Sequence, residues 1–283
     1  MRSPPGYGQR RQQAKGVSAM DFGLKDKTAL VTGSTAGIGY ATALGLAREG
    51  ASVVVNGRTP TRVDEAVRRI AAESSNANVS GVAADMGTAE GAALVVSRVP
   101  QVDVLVNNVG IFEPKDFGDI TDADWLRFFE TNVLSGVRLS RHYLPRMKDK
   151  NWGRIVFVSS ESAVNIPAEM IHYGMTKTAQ LAVARGLAEL TAKTGVTVNS
   201  VLPGPTRSEG VGTFVQQMAQ ARGMDEAAME TEFFKSARPS SLLQRFETPE
   251  EVANMIVFVC SAAASAVNGA ALRAEGGVVR SVV

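Results

Sequence analysis

Tyr173 and Lys177 stand four residues apart in Tyr173-Gly174-Met175-Thr176-Lys177, and Ser159-Ser160 precedes them, with Ser160 thirteen positions before the tyrosine. Residues four apart share one helix face, so an ammonium can lie beside a phenol. A free phenol has a pKa near ~10; lowering it by ~2 to 3 units takes about 3 to 4 kcal/mol of interaction with a nearby cation. A proton-transfer group tuned in this way is what alcohol oxidation needs, because the hydroxyl proton must leave as hydride departs from carbon. Ser160 in the same place would hydrogen-bond the carbonyl oxygen. Alone, Tyr-x-x-x-Lys is a common surface pair, and its position after a strand ending in Ser-Ser gives it weight.

Two further signals concern an anionic cofactor. Thr32-Gly33-Ser34-Thr35-Ala36-Gly37-Ile38-Gly39 follows an apolar run and opens a helical one. Glycines there let the backbone turn sharply and approach a pyrophosphate, which the free N–H groups and positive dipole end of a helix start favour. The spacing G-x-x-x-G-x-G parallels the usual dinucleotide fingerprint without matching it. At the end of the next apolar run stands Asn56-Gly57-Arg58-Thr59, with no acid where a carboxylate would bind the adenosine ribose. Arg58 instead offers a guanidinium to a 2′-phosphate, assisted by Arg62, which favours NADP(H) over NAD(H).

The elements that must position these residues repeat one unit: a β-branched apolar run, a turn, then a helical stretch, the pattern of a parallel sheet flanked by helices. Strands are expected at Ala29–Thr32, Ser52–Asn56, Val79–Ala83, Val102–Val106, Ile155–Ser159, Val196–Val201 and Ala270–Arg273. Helices are expected at Gly37–Arg48, Thr61–Ser74, Thr88–Ser97, Asp122–Lys148, Tyr173–Thr194 and Pro249–Ser261, with helix-start signals at Thr121-Asp122 and Thr248-Pro249. Continuous apolar strands suit burial on both faces. The fold class is therefore α/β: one Rossmann-like, doubly wound domain over 20–283 with a mostly parallel seven-stranded sheet. Residues 205–246 break the rhythm and are read as a substrate lid carrying Phe214, Met218, Phe233 and Phe234, with an ordinary satellite cluster as the alternative.

With these signals in this order, the chain resembles the short-chain dehydrogenase/reductase family over nearly everything after Met20. Gly33, Gly37 and Gly39, with Ser34 and Ile38 between them, fall on the family's glycine turn; Asp85, followed by Met86, falls on the acid beside the adenine ring. Asn107-Asn108-Val109-Gly110 matches its N-N-A-G segment, and Pro203-Gly204-Pro205-Thr206 the turn that shields the nicotinamide. Asn132 matches the helix asparagine that holds a proton-relay water, completing a tetrad with Ser160, Tyr173 and Lys177. The resemblance implies that Lys177 both bonds the nicotinamide ribose and lowers the Tyr173 pKa. Val109 replaces the family's alanine, and a small local shift affecting NADP(H) affinity is expected there. A homotetramer or homodimer is implied, built on 122–148 and 173–194, where Leu181, Leu187 and Leu190 could equally be core.

Composition narrows the classes. In 283 residues, 45% are hydrophobic and 20% charged, with a net charge of +2, which describes a globular chain with a mixed-sign surface and not a dedicated nucleic-acid binder. The single cysteine, Cys260, permits no intrachain disulfide and sits in an apolar run, so a buried thiol and a cytoplasmic setting are expected. No apolar stretch suggests a membrane span, and no His, Cys and Asp cluster suggests a metal. Residues 1–19, rich in Arg, Gln, Gly and Pro, are expected to be a disordered leader.

The expected partner is a small carbonyl or alcohol. Pocket candidates are Glu161, Val164, Ile166 and Met170, while His172 is expected on the helix surface. Two rivals remain: a dinucleotide-binding regulator without chemistry, and a 3-oxoacyl-carrier-protein reductase. The second is disfavoured because 111–119 is acidic overall and complements an acidic carrier poorly.

Overall fold

A computed structural model describes residues 21–282 of the chain, and the leader expected over 1–19 lies outside them. The elements run β1 (Thr28–Val31), α1 (Gly37–Arg48), β2 (Ser52–Gly57), α2 (Pro60–Ser74), β3 (Val79–Ala83), α3 (Ala89–Arg98), β4 (Val104–Asn107), α4 (Asp122–Phe129), α5 (Ser135–Asp149), β5 (Gly153–Val158), α6 (Ile171–Glu189), β6 (Val196–Pro203), α7 (Glu209–Arg222), α8 (Glu226–Ser236), α9 (Pro249–Cys260) and β7 (Ala271–Ala274). The sheet order is β3-β2-β1-β4-β5-β6-β7, with every pair parallel. The chain winds outward from β1 to β3 and then returns to β4. Such a reversal leaves a crevice beyond the carboxyl ends of β1 and β4, the place where open α/β sheets bind ligands.

Alternate side chains of a strand face opposite layers, so one sheet feeds two cores. Val31, Val53 and Val55 join α1, α2 and α9 through Leu46, Ile70 and Ile256. Leu30 and Leu105 face the other layer, with Leu139, Tyr143 and Met147 of α5. This two-sided cover is why β4, β5 and β6 are buried at every position. The helix-start signals are borne out: Thr121 with Asp124, and Thr248 with Glu251, form reciprocal capping boxes.

Two expectations need correction. The helix expected over Asp122–Lys148 is interrupted by a π-helical turn at Glu130–Leu134, which separates α4 from α5. Asn132 sits in that turn; its side chain accepts from Ile111 N at 2.8 Å and donates to Ile111 O at 3.0 Å and Thr176 Oγ1 at 2.9 Å, while its carbonyl accepts from Gln180 Nε2 at 2.6 Å. From this turn Asn132 thus ties the segment after β4, through Ile111, to α6, through Thr176 and Gln180. His172 is not on the helix surface. It starts the buried stripe His172, Thr176, Gln180, Ala184, Ala188 of α6, spaced one turn apart, and its ring packs 4.1 Å from that of Phe128.

Residues 205–246, expected as a lid or an ordinary satellite cluster, hold two helices. Helices α7 and α8 close on Val215, Ala219, Met229, Phe234 and Phe246 as a third apolar cluster, while Met218 and Phe233 reach the pocket described below. The Phe214 side chain lies outside the described residues.

Candidate active site

The glycine turn connects β1 to α1 at the sheet's reversal. Gly33 and Gly37 have φ of +60° and +57°, which side chains other than glycine rarely adopt, and a Cβ at Gly39 would stand 2.3 Å from the Gly33 carbonyl oxygen. Asn108 locks this turn from β4 by donating through Nδ2 to Thr32 O at 2.9 Å and Gly33 O at 3.0 Å. Ser34 is buried and spent internally: its hydroxyl donates to Val31 O at 2.6 Å and accepts from Asn56 N at 3.0 Å. Asn56, in turn, bridges the turn to the end of β3 through Val82 O and Ala84 O. Arg58 stands exposed just beyond, with no acid beside it in Asn56-Gly57-Arg58.

Asp85 is exposed after β3 and accepts from Gly87 N at 2.9 Å, whereas the Met86 side chain is buried in the second core, leaving its backbone for any ligand. Val109 packs against that same core and stands at the distance where a Gly33 Cβ would meet it, 3.0 Å.

Four sequence-named residues converge past β4 and β5. Ser160, just beyond β5, lines the same cavity as Tyr173. Lys177 lies one helical turn from Tyr173 on α6, its Nζ 5.6 Å from the phenol ring centroid and donating to Val158 O at 3.0 Å. A Cβ at Gly110 would lie 3.3 Å from Lys177 Nζ and 3.5 Å from Asn132 Oδ1, so the missing side chain opens a cradle between them. Lined by Ser160, Tyr173, Lys177, Ile38, Asn108 and Gly110, with Pro203, Gly204 and Thr206 opposite, a cavity of about 420 Å³ opens here. These residues suit a flat ring held against the turn with a reacting carbon beside the tyrosine.

Burial dominates the electrostatics. It pushes the Tyr173 phenol above its usual value, against the Ser160 hydrogen bond, with the Glu161 charge adding to the rise and Arg238 opposing it. Burial likewise pulls the Lys177 ammonium down to about 8, opposed by Glu161. Lys177 is not among the groups that shift the Tyr173 phenol, and the same burial that brings the pair together penalises both charged forms.

Of the pocket candidates, Glu161 and Met170 line the cavity; Val164 and Ile166 are about half exposed and lie outside it. Arg238, which follows α8, was not singled out in the sequence. Its Nε donates to Glu161 Oε1 at 3.0 Å across 77 residues, and no local spacing signals such a pair. Among the described residues no group of three or more His, Cys, Asp or Glu is arranged to hold a metal, and no helix is long and apolar enough to cross a membrane.

Behind the Pro203–Thr206 turn, Glu247 accepts from Gly204 N at 3.2 Å, and burial, with the nearby Glu251, Glu275 and Glu161 charges, pushes its carboxyl up to about 7. A carboxyl raised in the fold holds its proton more tightly than in the unfolded chain, so stability is highest below the unfolded pKa. It falls as pH rises from about 4.5 to about 7 and is then level. Glu247→Gln is expected to raise the melting temperature by a few degrees near pH 8 and hardly at all near pH 4.5. Equal shifts at both pH values would contradict this.

A family model described as short chain dehydrogenase matches residues 27–219. YvrD, an uncharacterized oxidoreductase of Bacillus subtilis, is 50% identical over 266 residues, which cover 93% of this chain and all of that one. D-beta-hydroxybutyrate dehydrogenase of Cupriavidus necator is 35% identical over 258 residues, covering 90% of this chain and 98% of the other. Among solved structures, L-sorbose reductase of Gluconobacter frateurii, complexed with NADPH and L-sorbose, superposes with a TM-score of 0.87 at 31% identity, covering 93% of this chain and all of that chain.

Proposed function

The chain belongs to the short-chain dehydrogenase family and is an oxidoreductase acting between hydroxyl and carbonyl groups, and from that premise we propose that it is an NADPH-dependent carbonyl reductase with Tyr173 as its proton donor. One observation carries the reading: Ser160, Tyr173 and Lys177 meet at one wall of a cavity whose other end reaches the glycine turn. Gly33, Gly37, Gly39 and the start of α1 would hold the pyrophosphate, Arg58 the 2′-phosphate, Asp85 and the Met86 backbone the adenine side. Asn108, Gly110, Pro203, Gly204, Thr206 and Lys177 would hold the nicotinamide and its ribose. When bound, the dihydronicotinamide supplies a hydride to the carbonyl carbon.

The chain's own groups manage the proton. Ser160 Oγ orients the carbonyl oxygen beside Tyr173 Oη, which gives its proton to that oxygen as the carbon is reduced. At neutral pH the Tyr173 phenol carries its proton, the state that reduction requires, and the burial that raises its pKa is a cost the reaction has to offset. Lys177 and Asn132, facing one another across Gly110, are the route by which a proton returns to Tyr173 from solvent. The pocket's aromatic wall of Phe112, Phe233 and Phe246 excludes water from the reacting carbon.

NADPH and NADH binding and oxidation, measured side by side against a panel of ketones, aldehydes and quinones, test this reading. Turnover with NADPH preferred is expected; tight NADPH binding with no turnover on any carbonyl would favour a dinucleotide-binding regulator. A carrier-protein reductase is disfavoured further, because Lys115, the one base in 111–119, is tied to Asp124 at 2.7 Å. The assembly we propose is a homodimer or homotetramer in the cytoplasm. Phe117, Leu126 and Phe129 form an exposed apolar patch on and beside α4 that a second copy would cover. Light scattering is expected to give a multiple of the chain mass, and a monomer at micromolar concentration would refute the assembly.

A further inference from the structure

Beside the reacting groups lies a buried ion pair that the reaction itself does not use. Glu161 and Arg238 have side chains only 4% and 9% exposed, and both line the cavity. Glu161 Oε2 is saturated: it accepts from Ser160 Oγ at 2.5 Å, Ser162 N at 2.6 Å and Ser162 Oγ at 2.9 Å. Oε1 accepts from Arg238 Nε at 3.0 Å and keeps a second lone pair. The bonds described for Arg238 use Nε and Nη1, the latter reaching Ala237 O at 2.8 Å and Glu169 Oε1 at 3.4 Å. The pair therefore presents an acceptor and a donor side by side, next to the serine that would hold the substrate carbonyl.

We infer that the Glu161–Arg238 pair selects substrates whose carbonyl bears a hydroxyl on the adjacent carbon, that is, α-hydroxy ketones or aldehydes. The inference rests on the reductase reading above. Ser160 Oγ, the anchor for the carbonyl oxygen, stands 2.5 Å from the Glu161 carboxylate, about the separation of the two oxygens in an α-hydroxy ketone, so the two anchors match the two oxygens once the Ser160 hydroxyl turns its proton from Oε2 to the substrate. The substrate hydroxyl donates to Glu161 Oε1 and accepts from the Arg238 guanidinium, using both sides of its chemistry. A carboxylate in that place fits worse, because two acids, Glu161 and Glu169, already face the one guanidinium. A plain ketone displaces water from the pair and replaces none of its hydrogen bonds, and sites built around a substrate hydroxyl reject the analogue that lacks it. The remaining wall, with Met218, Met229, Phe233 and Phe246, accommodates an apolar tail.

The test compares 1-hydroxyhexan-2-one with heptan-3-one, which differ by exchange of a hydroxyl for a methyl, as substrates of the full chain with NADPH. We expect kcat/KM to favour the hydroxy ketone by about 100-fold. In the double variant Glu161→Leu/Arg238→Met, which leaves neither charge buried alone, the ratio is expected to fall below about fivefold; a merely structural role would lower both activities alike and keep the ratio. A wild-type ratio near one overturns the inference by itself and needs no variant, as does an unchanged ratio in the double variant. Absence of turnover on both ketones and on the wider carbonyl panel, with NADPH bound, overturns the reductase reading and this inference with it.

Discussion

Tyr173→Phe is expected to lower carbonyl reduction by about 10³-fold, within the range that a positioned acid contributes, while NADPH affinity stays close to that of the parent. The substitution removes one oxygen and keeps the ring, which is held edge-on by Phe112 at a centroid distance of 6.4 Å and flanked by Lys177. The pocket therefore retains its shape and loses only the proton donor. Turnover is the readout, with fluorescence titration of NADPH as the control. A variant that binds NADPH normally and reduces carbonyls at a tenth of the parent rate or better would remove Tyr173 from the chemistry.

Arg58→Asp is expected to reverse cofactor preference. A charge-assisted bond to a phosphate contributes about 1.5 to 3 kcal/mol, so its loss alone weakens NADPH by about 10- to 100-fold. The new carboxylate repels the 2′-phosphate and can accept from both ribose hydroxyls of NADH, which brings the expected change in the NADPH-to-NADH ratio of kcat/KM to about 10³-fold. Arg58 is exposed at the end of β2, and Asn56, not Arg58, makes the buried ties to Gly33, Val82 and Ala84. The fold should thus be indifferent to the exchange. An unchanged ratio would mean that discrimination lies elsewhere along the adenosine side.

What the sequence disclosed and what it hid follow from the range of the interactions. The glycine turn was legible because its demands are local: positive φ at two positions and no room for a Cβ at Gly39. Ser160, Tyr173 and Lys177 are legible because they fall at the end of a strand and on the helix that follows, which parallel topology brings together, whereas Asn132 enters only through the family resemblance. Capping at Thr121 and Thr248 was readable for the same reason, being settled within four residues. His172 departs from the expected helix surface because it shares a buried stripe with Thr176 and Gln180, one and two turns on. The effect of burial on Tyr173 is not legible, since desolvation depends on what packs around a phenol, which no spacing states. Arg238 was invisible for a related reason: its meeting with Glu161 depends on how α7 and α8 fold back over the cavity.

Hydride transfer is the central claim, and isotope tracing tests it most directly. The full chain would be incubated with 1-hydroxyhexan-2-one and NADPH carrying deuterium on the transferred face of C4, and the recovered diol analysed by mass spectrometry. The account predicts one deuterium on the former carbonyl carbon in wild type, with product falling about 10³-fold in Tyr173→Phe. Product lacking deuterium on that carbon with both C4 faces labelled in turn, or no product while NADPH binds, would contradict it.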